Sequence, residues 1–246
     1  AGIVRLEGIP DTADLTSKQW AYIRYQTEGQ LEIDQRGLQA MLATYHYPLY
    51  FLDFETHSTP VPDYPGTHPF EQIPFQFSVH ILQEDGSLAH NAYLHTTADD
   101  PRAAVIDHLI AYIGREGTIL AFNAQFERMI LKQLMAYAPA RAGELKHMHD
   151  RIDDQLPLVK KNVRHPDLNH SYSLKNVNKV LLKDTTYDEL AIGNGTAAHA
   201  GWVELLTLTD SEARQARIKA LQAYCKQDTM AQVNLHHWCT RNCSST

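Results

Sequence analysis

The sequence predicts an α/β domain, in which a mixed sheet carries helices on its faces. Three observations carry that prediction. Short runs rich in apolar, β-branched and aromatic residues stand at positions 49–53, 75–82, 89–95 and 118–122. The polar turn Glu84-Asp85-Gly86-Ser87 joins the second run to the third as a hairpin. Helical periods then alternate with the strands and finally replace them.

Taken in order, residues 1–47 read as a helical extension. Thr16 or Ser17 caps a helix to about Thr27, and residues 33–45 carry a second apolar period through Leu38, Met41 and Leu42. Pro48 closes this part, because proline disfavours helix in the residue before it. The chain starts without Met and a helix pair leads into the core, so the sequence reads as part of a longer protein, with a flanking domain and with the main domain at 48–240. After the first strand comes a loop rich in proline, including Pro60, Pro62, Pro65 and Pro69. Asp99 or Asp100 caps a helix that has Pro101 in its first turn and runs to about Gly114. A helix also begins near Asn123, directly after the fourth strand. Residues 153–161 and 173–182 form short amphipathic helices, separated by a loop at 163–172, with Ser173 starting the second. A further helix covers 196–206, and Asp210 or Ser211 caps a long one to about Trp238.

Composition bounds the function. With 246 residues, 43% hydrophobic and 21% charged, the chain is an ordinary soluble globular protein. No apolar stretch approaches a membrane span, and the polar N-terminus lacks a signal-peptide layout. Cys225, Cys239 and Cys243 are too few and too clustered for a disulfide framework, so a cytoplasmic, reducing location is expected. The net charge of −7 argues against a nucleic-acid partner. Its distribution argues otherwise, since residues 128–183 hold eleven Lys/Arg against five acids, a surplus of six. A run of this kind is either a solvated face or one side of a phosphodiester channel.

Three acid-bearing motifs carry the chemistry. Asp53 and Glu55 end the first apolar run, and period two points both carboxylates the same way. A hard divalent cation relieves the repulsion of such a pair, and Mg²⁺ in particular is held by one or two carboxylates plus substrate phosphates. Asn123 and Glu127 sit where a strand passes into a helix. There Asn123 can anchor the loop through its amide, and an acid in the first turn also favours any helix through the macrodipole. Tyr224 and Asp228 are four apart on the last helix and so share a face. A buried carboxylate there needs a metal or a salt bridge.

The order D-x-E, N-x₃-E, Y-x₃-D resembles the ribonuclease-H-like DEDD exonucleases, in the branch with tyrosine in the third motif. Tyr172-Ser-Leu-Lys175 is similar to that family's helix between the second and third motifs. The phrases from Tyr50 to Thr56, from Ile73 to Ser78 and from Phe122 to Glu127 are closer still to an uncharacterised bacterial domain family placed in that superfamily by its motifs. The resemblance covers about Pro48 to Trp238. It implies a five-stranded mixed sheet flanked by helices, and two-metal, 3′–5′ hydrolysis of single-stranded DNA or RNA. It implies Asp53, Glu55, Glu127 and Asp228 as ligands of two Mg²⁺ or Mn²⁺ ions, with Tyr224 orienting the attacking water. Phe54, Thr56, Asn123 and Lys175 are the expected substrate contacts, and Phe54 or Phe75 is the candidate stacking ring. One departure concerns the second motif, which usually ends in Asp; here Glu127 reaches one methylene further.

Other readings stand beside this one. Fourteen histidines invite zinc, through His147 and His149, or His236 and His237 with Cys239 and Cys243, but the spacing fits no common structural zinc pattern. A catalytically inactive module that binds nucleic acid or protein on the same fold is the main alternative. An endonuclease of ribonuclease H type lacks the Y-x₃-D helix.

Overall fold

A nine-residue strand, β1 (Leu49–His57), is the spine of the sheet in the computed structural model, which describes residues 5–29, 31–168 and 171–243. β2 (Ile73–Leu82) pairs with β1 antiparallel, and β3 (Leu88–Leu94) pairs with β2 antiparallel across a turn in which Gly86 takes φ 86°. On the other side of β1, β4 (Thr118–Ala121) and then β5 (Ile152–Asp154) add in parallel. The order β3-β2-β1-β4-β5 gives the expected five-stranded mixed sheet, flanked by helices.

Nine α-helices surround it among the described residues: α1 (Ser17–Glu28), α2 (Gln35–Leu42), α3 (Arg102–Tyr112), α4 (Gln125–Tyr137), α5 (Ala142–Asp150), α6 (Leu156–Asn162), α7 (Leu174–Leu182), α8 (Gly195–Leu205) and α9 (Ser211–Cys243). Their starts follow local chemistry. Thr16 forms a capping box with Gln19 at α1, Asp34 accepts from Gly37 N at 3.0 Å at α2, and Ser173 accepts from Asn176 N at 3.3 Å at α7. Asp210 does the same for α9 through Ala213 N at 2.8 Å. No described helix is long and apolar enough to cross a membrane.

Period two on β1 divides the core. Tyr50, Leu52 and Phe54 point to one face, where they pack with Val105, Leu109, Ile130 and Leu134 of α3 and α4. Leu49 and Phe51 point to the other, against Val233 of α9. Leu38 of the N-terminal extension packs with Val177, Leu235 and Trp238, so the extension shares a core with the domain. It is also tied by a two-residue antiparallel pairing of Glu32–Ile33 with Val163–Arg164.

Several boundaries differ from the sequence expectation. β1 does not stop at Asp53 but runs to His57, because β2 keeps pairing with it past a bulge between Glu55 and Thr56. Residues 153–154 belong to the edge strand β5 rather than to a helix, which begins only at Leu156. Their alignment with Leu120 and Ala121 outweighs a helical pattern that is only a few residues long. Asn123 takes φ 66°, a left-handed turn that delays α4 to Gln125. The second helix of the extension is shorter than 33–45. Of the expected loop at 163–172, Asn169 and His170 lie outside the described residues.

Candidate metal centre and its cleft

Asp53 and Glu55 continue the face that carries Leu49 and Phe51, so they point toward α9. Buried polar contacts lock α9 across this face on both sides of Asp228. Gln76 Nε2 donates to Leu221 O at 2.9 Å, and Gln232 Nε2 donates to Leu52 O at 3.2 Å. Between them Thr229 Oγ1 meets Ser78 Oγ and His80 Nδ1, each at 2.8 Å. The four-residue spacing then brings Tyr224 and Asp228 to the carboxylates of β1.

The result is an open cleft of about 800 Å³. Asp53, Phe54, Glu55, Thr56, Asn123, Lys175, Tyr224 and Asp228 all line it, although they are spread over more than 170 residues of sequence. Of the expected site residues, Glu127 alone is not on the wall. It is 4% exposed on the first turn of α4, and its Oε2 has no hydrogen-bond partner among the described residues.

The electrostatics are those of crowded, desolvated acids. Burial pushes the Asp53 carboxyl well above its ordinary range, and Asp228, Glu55 and Glu127 push it further. Asp53 keeps part of its surface open to the cleft but is packed on its other sides. Glu55 is pushed up to about 8 by burial and then by Asp228. Glu127 also reaches about 8, through burial first and Asp154 in smaller measure. Asp228 is raised by burial, against the opposing pull of a hydrogen bond from Tyr187, of Lys175 and of Tyr224. Burial and the neighbouring carboxylates raise the Tyr224 phenol, so it stays protonated.

Lys175 is the cation that faces these acids. Its Nζ donates to Gly193 O, lies 3.4 Å from Tyr224 Oη, and stands 4.8 Å from the ring centroids of both Tyr187 and Tyr224. Among the described residues, the rest of the basic run that contains it does not line the cleft. Arg128 donates to Ile152 O at 2.6 Å, Arg141 pairs with Asp107 at 2.8 Å, and Arg151 binds backbone carbonyls at Gly114 and Glu116. Among the described residues, Lys175 is the member of that run on the cleft wall.

The other expected contacts have partners of their own. Asn123 is held through its backbone N–H, which donates to Asp154 Oδ1 at 2.9 Å, so the loop is anchored by Asp154 and not by the Asn123 amide. Thr56 Oγ1 donates to Gln72 Oε1 at 2.7 Å. Phe75 is fully buried and stacked on Trp202 at 4.6 Å, so it is a core ring. Phe54 is 4% exposed and packs beside Phe77. Phe122, Phe126 and Tyr172 are further aromatic residues on the wall, beside Phe54 and Tyr224. Of the histidine and cysteine clusters, His236 packs on Tyr45 and Phe51, Cys239 is buried, and His147 and His149 lie on α5.

Two residues of the site escaped the sequence reading. Tyr187 Oη donates to Asp228 Oδ1 at 2.6 Å, from a 3₁₀ turn (Thr186–Glu189) that carries no periodicity to announce it. The buried Cys225 groups with Asp53 and Glu55, their ligand atoms all within 4.8 Å of one another. Its place three residues before Asp228 was a usable signal, since that spacing also falls on one helix face.

Comparison with known families gives one match: residues 50–173 fit the family described as Domain of unknown function (DUF2779). That span contains the first two acidic motifs and ends before Tyr224 and Asp228. No curated protein and no solved structure matches the chain.

Proposed function

We propose that this chain, which belongs to the DUF2779 family, is a metal-dependent exonuclease that hydrolyses phosphodiester bonds of single-stranded nucleic acid from the 3′ end. This is the activity of the tyrosine-bearing, ribonuclease-H-like DEDD exonucleases that the motifs resemble. The observation that carries the reading is the convergence of Asp53, Glu55 and Asp228 on one cleft, with Glu127 buried close enough to raise Asp53 and with Lys175 as their facing cation.

The donor set fits hard divalent ions. Asp53, Glu55 and Asp228 would hold two Mg²⁺ or Mn²⁺ ions, and the unpartnered Oε2 of Glu127 would join them directly or through water. When bound, such a pair activates water and stabilises the charge on the attacking and leaving oxygens of an in-line displacement. The protein does the rest. Tyr224 keeps its proton and therefore holds the attacking water by hydrogen bond instead of taking a proton from it. Tyr187 fixes the rotamer of Asp228. Phe122, Phe126 and Tyr172 give the strand's bases a wall to stack on.

The test is incubation with 3′- and 5′-labelled single-stranded DNA and RNA, in Mn²⁺, Mg²⁺ or EDTA. The expected result is stepwise shortening from the 3′ end that EDTA stops, with circular strands left uncut. Asp53→Asn should abolish turnover while its metal-free melting temperature stays at or above that of the wild type. Retained turnover in that folded variant overturns the proposal. The recessed position of Glu127 favours a second reading, a module that binds a strand without cutting it. Binding with no metal-dependent degradation would select that reading.

A further inference from the structure

The cleft has a second wall that the proposed chemistry leaves unused. It is built by the end of β1 and by α8, and it is polar, with Thr56, Ser58, Gln72, Thr196 and His199. Behind it runs a chain of three side chains. Asp63 Oδ2 lies 2.6 Å from His57 Nε2, and His57 Nδ1 lies 3.0 Å from His199 Nε2. Thr59 Oγ1 donates to the same Asp63 oxygen at 2.9 Å. These two bonds hold the Asp63 carboxyl below its ordinary range, so it is a carboxylate.

A carboxylate only accepts, so His57 Nε2 carries the proton between them. His57 is 7% exposed and rests on Trp202 at 5.2 Å between centroids, which leaves its ring no freedom to turn. His199 is thereby fixed in turn. Its Nε2 is engaged, and its Nδ1 has no partner among the described residues. As an N–H that nitrogen bonds a phosphate oxygen; as a lone pair it bonds a sugar hydroxyl. Both groups belong to the backbone of a nucleic-acid strand, and neither lies on the stacking face of a base.

We propose that His199 is a further substrate-binding residue, positioned by His57 and Asp63, which grips the sugar–phosphate backbone opposite the aromatic wall. This rests on the nuclease reading and adds a contact to it. The bases then stack toward Phe122, Phe126 and Tyr172, while the backbone lies toward α8.

The experiment measures binding of a fluorescent single-stranded dodecanucleotide in Ca²⁺, with the label checked for integrity. His199→Ala should weaken binding roughly tenfold, the effect of losing one hydrogen bond to a charged group. His199→Gln, whose amide both donates and accepts, should recover part of that. Asp63→Asn should weaken binding less than His199→Ala. Adding it to His199→Ala should change nothing further, because Asp63 acts only through the chain. Independent, additive losses would mean a structural role and overturn the proposal, as would wild-type affinity in His199→Ala. Either result leaves the nuclease reading standing. A wild-type protein that binds no strand at all sinks both.

Discussion

Replacing Glu127 by Gln isolates the cost of burying an acid at this site. Glu127 is 4% exposed, and its Oε2 has no partner among the described residues. Its carboxyl is pushed from an ordinary 4.5 up to about 8, mainly by desolvation. Between those pH values the folded, metal-free protein keeps a proton that the unfolded chain has released. The folded state therefore binds more protons, and stability falls as pH rises through that window. Pure water chemistry sets the size. Each pH unit above the unfolded value costs about 1.4 kcal/mol, so at pH 7 proton uptake at this residue costs about 3 kcal/mol. Gln has nearly the same shape and takes up no proton, so the metal-free variant should be the more stable protein at pH 7 by up to that amount. For a domain of this size the gain corresponds to a rise of about 6–12 °C in melting temperature. Thermal unfolding in EDTA at pH 5, 6, 7 and 8 reads the effect, and the gap should close toward pH 5. Adding Mn²⁺ should then raise the melting temperature of the wild type more than that of the variant, since only the wild type has the carboxylate to offer. A Gln variant less stable than wild type at pH 7 in EDTA, or a gap that ignores pH, would refute the reasoning.

Four shorter predictions follow from neighbouring residues. Tyr187→Phe removes the 2.6 Å bond to Asp228 and should weaken Mn²⁺ binding roughly tenfold by calorimetry; unchanged affinity would leave Tyr187 without a role in the site. Tyr224→Phe should lower kcat while KM stays near wild type, and equal losses in both would argue against the water-holding role. Cys225→Ala should relieve inhibition by Cd²⁺, because its sulfur is the soft donor grouped with Asp53 and Glu55; inhibition that persists unchanged would place Cd²⁺ elsewhere. Trp202→Ala should cost about 3–5 kcal/mol, as the loss of a fully buried ring stacked on Phe75, and a melting temperature within a degree or two of wild type would contradict the packing.

The sheet was legible where burial leaves a pattern. β1 and β2 are buried almost throughout, and such strands announce themselves as apolar runs. β5 was not legible, because Ile152, Asp153 and Asp154 are too short and too acidic to read as a strand before β4 is there to pair with them. The acids of the site were legible because period two and the four-residue helical spacing are local rules. What those rules cannot carry is depth. Nothing in the sequence separates Glu127, recessed on α4, from Asp228, on the wall, since the difference is set by the left-handed turn at Asn123 that delays the helix. The aromatic wall was only partly legible for a related reason. Phe54 and Phe75 are nearest the acids in sequence, but Phe54 packs mainly into the core on the opposite face of β1 and Phe75 stacks under α8, while Phe122 and Phe126 come from the junction of β4 with α4 and Tyr172 from the segment before α7.

The choice between cutting a strand and merely holding one turns on what the acids do to a phosphate. A module that only binds nucleic acid gains nothing from Asp53, Glu55 and Asp228, which repel the ligand when charged and cost stability when buried. Protonation relieves the stability cost up to about pH 8 for Glu55, but it leaves a cleft with a single lysine to attract a polyanion. Divalent cations remove both objections together, since they neutralise the carboxylates and present positive charge to the strand. The same three acids thus work against a binding module and in favour of a metal-dependent one. The arginines and lysines of residues 128–183 sharpen the point: among the described residues only Lys175 of that run lines the cleft, and Arg128, Arg141, Lys146 and Arg151 are engaged with carbonyls and surface acids, so on the proposed reading affinity for a strand comes from the metal centre, the aromatic wall and the α8 side of the cleft.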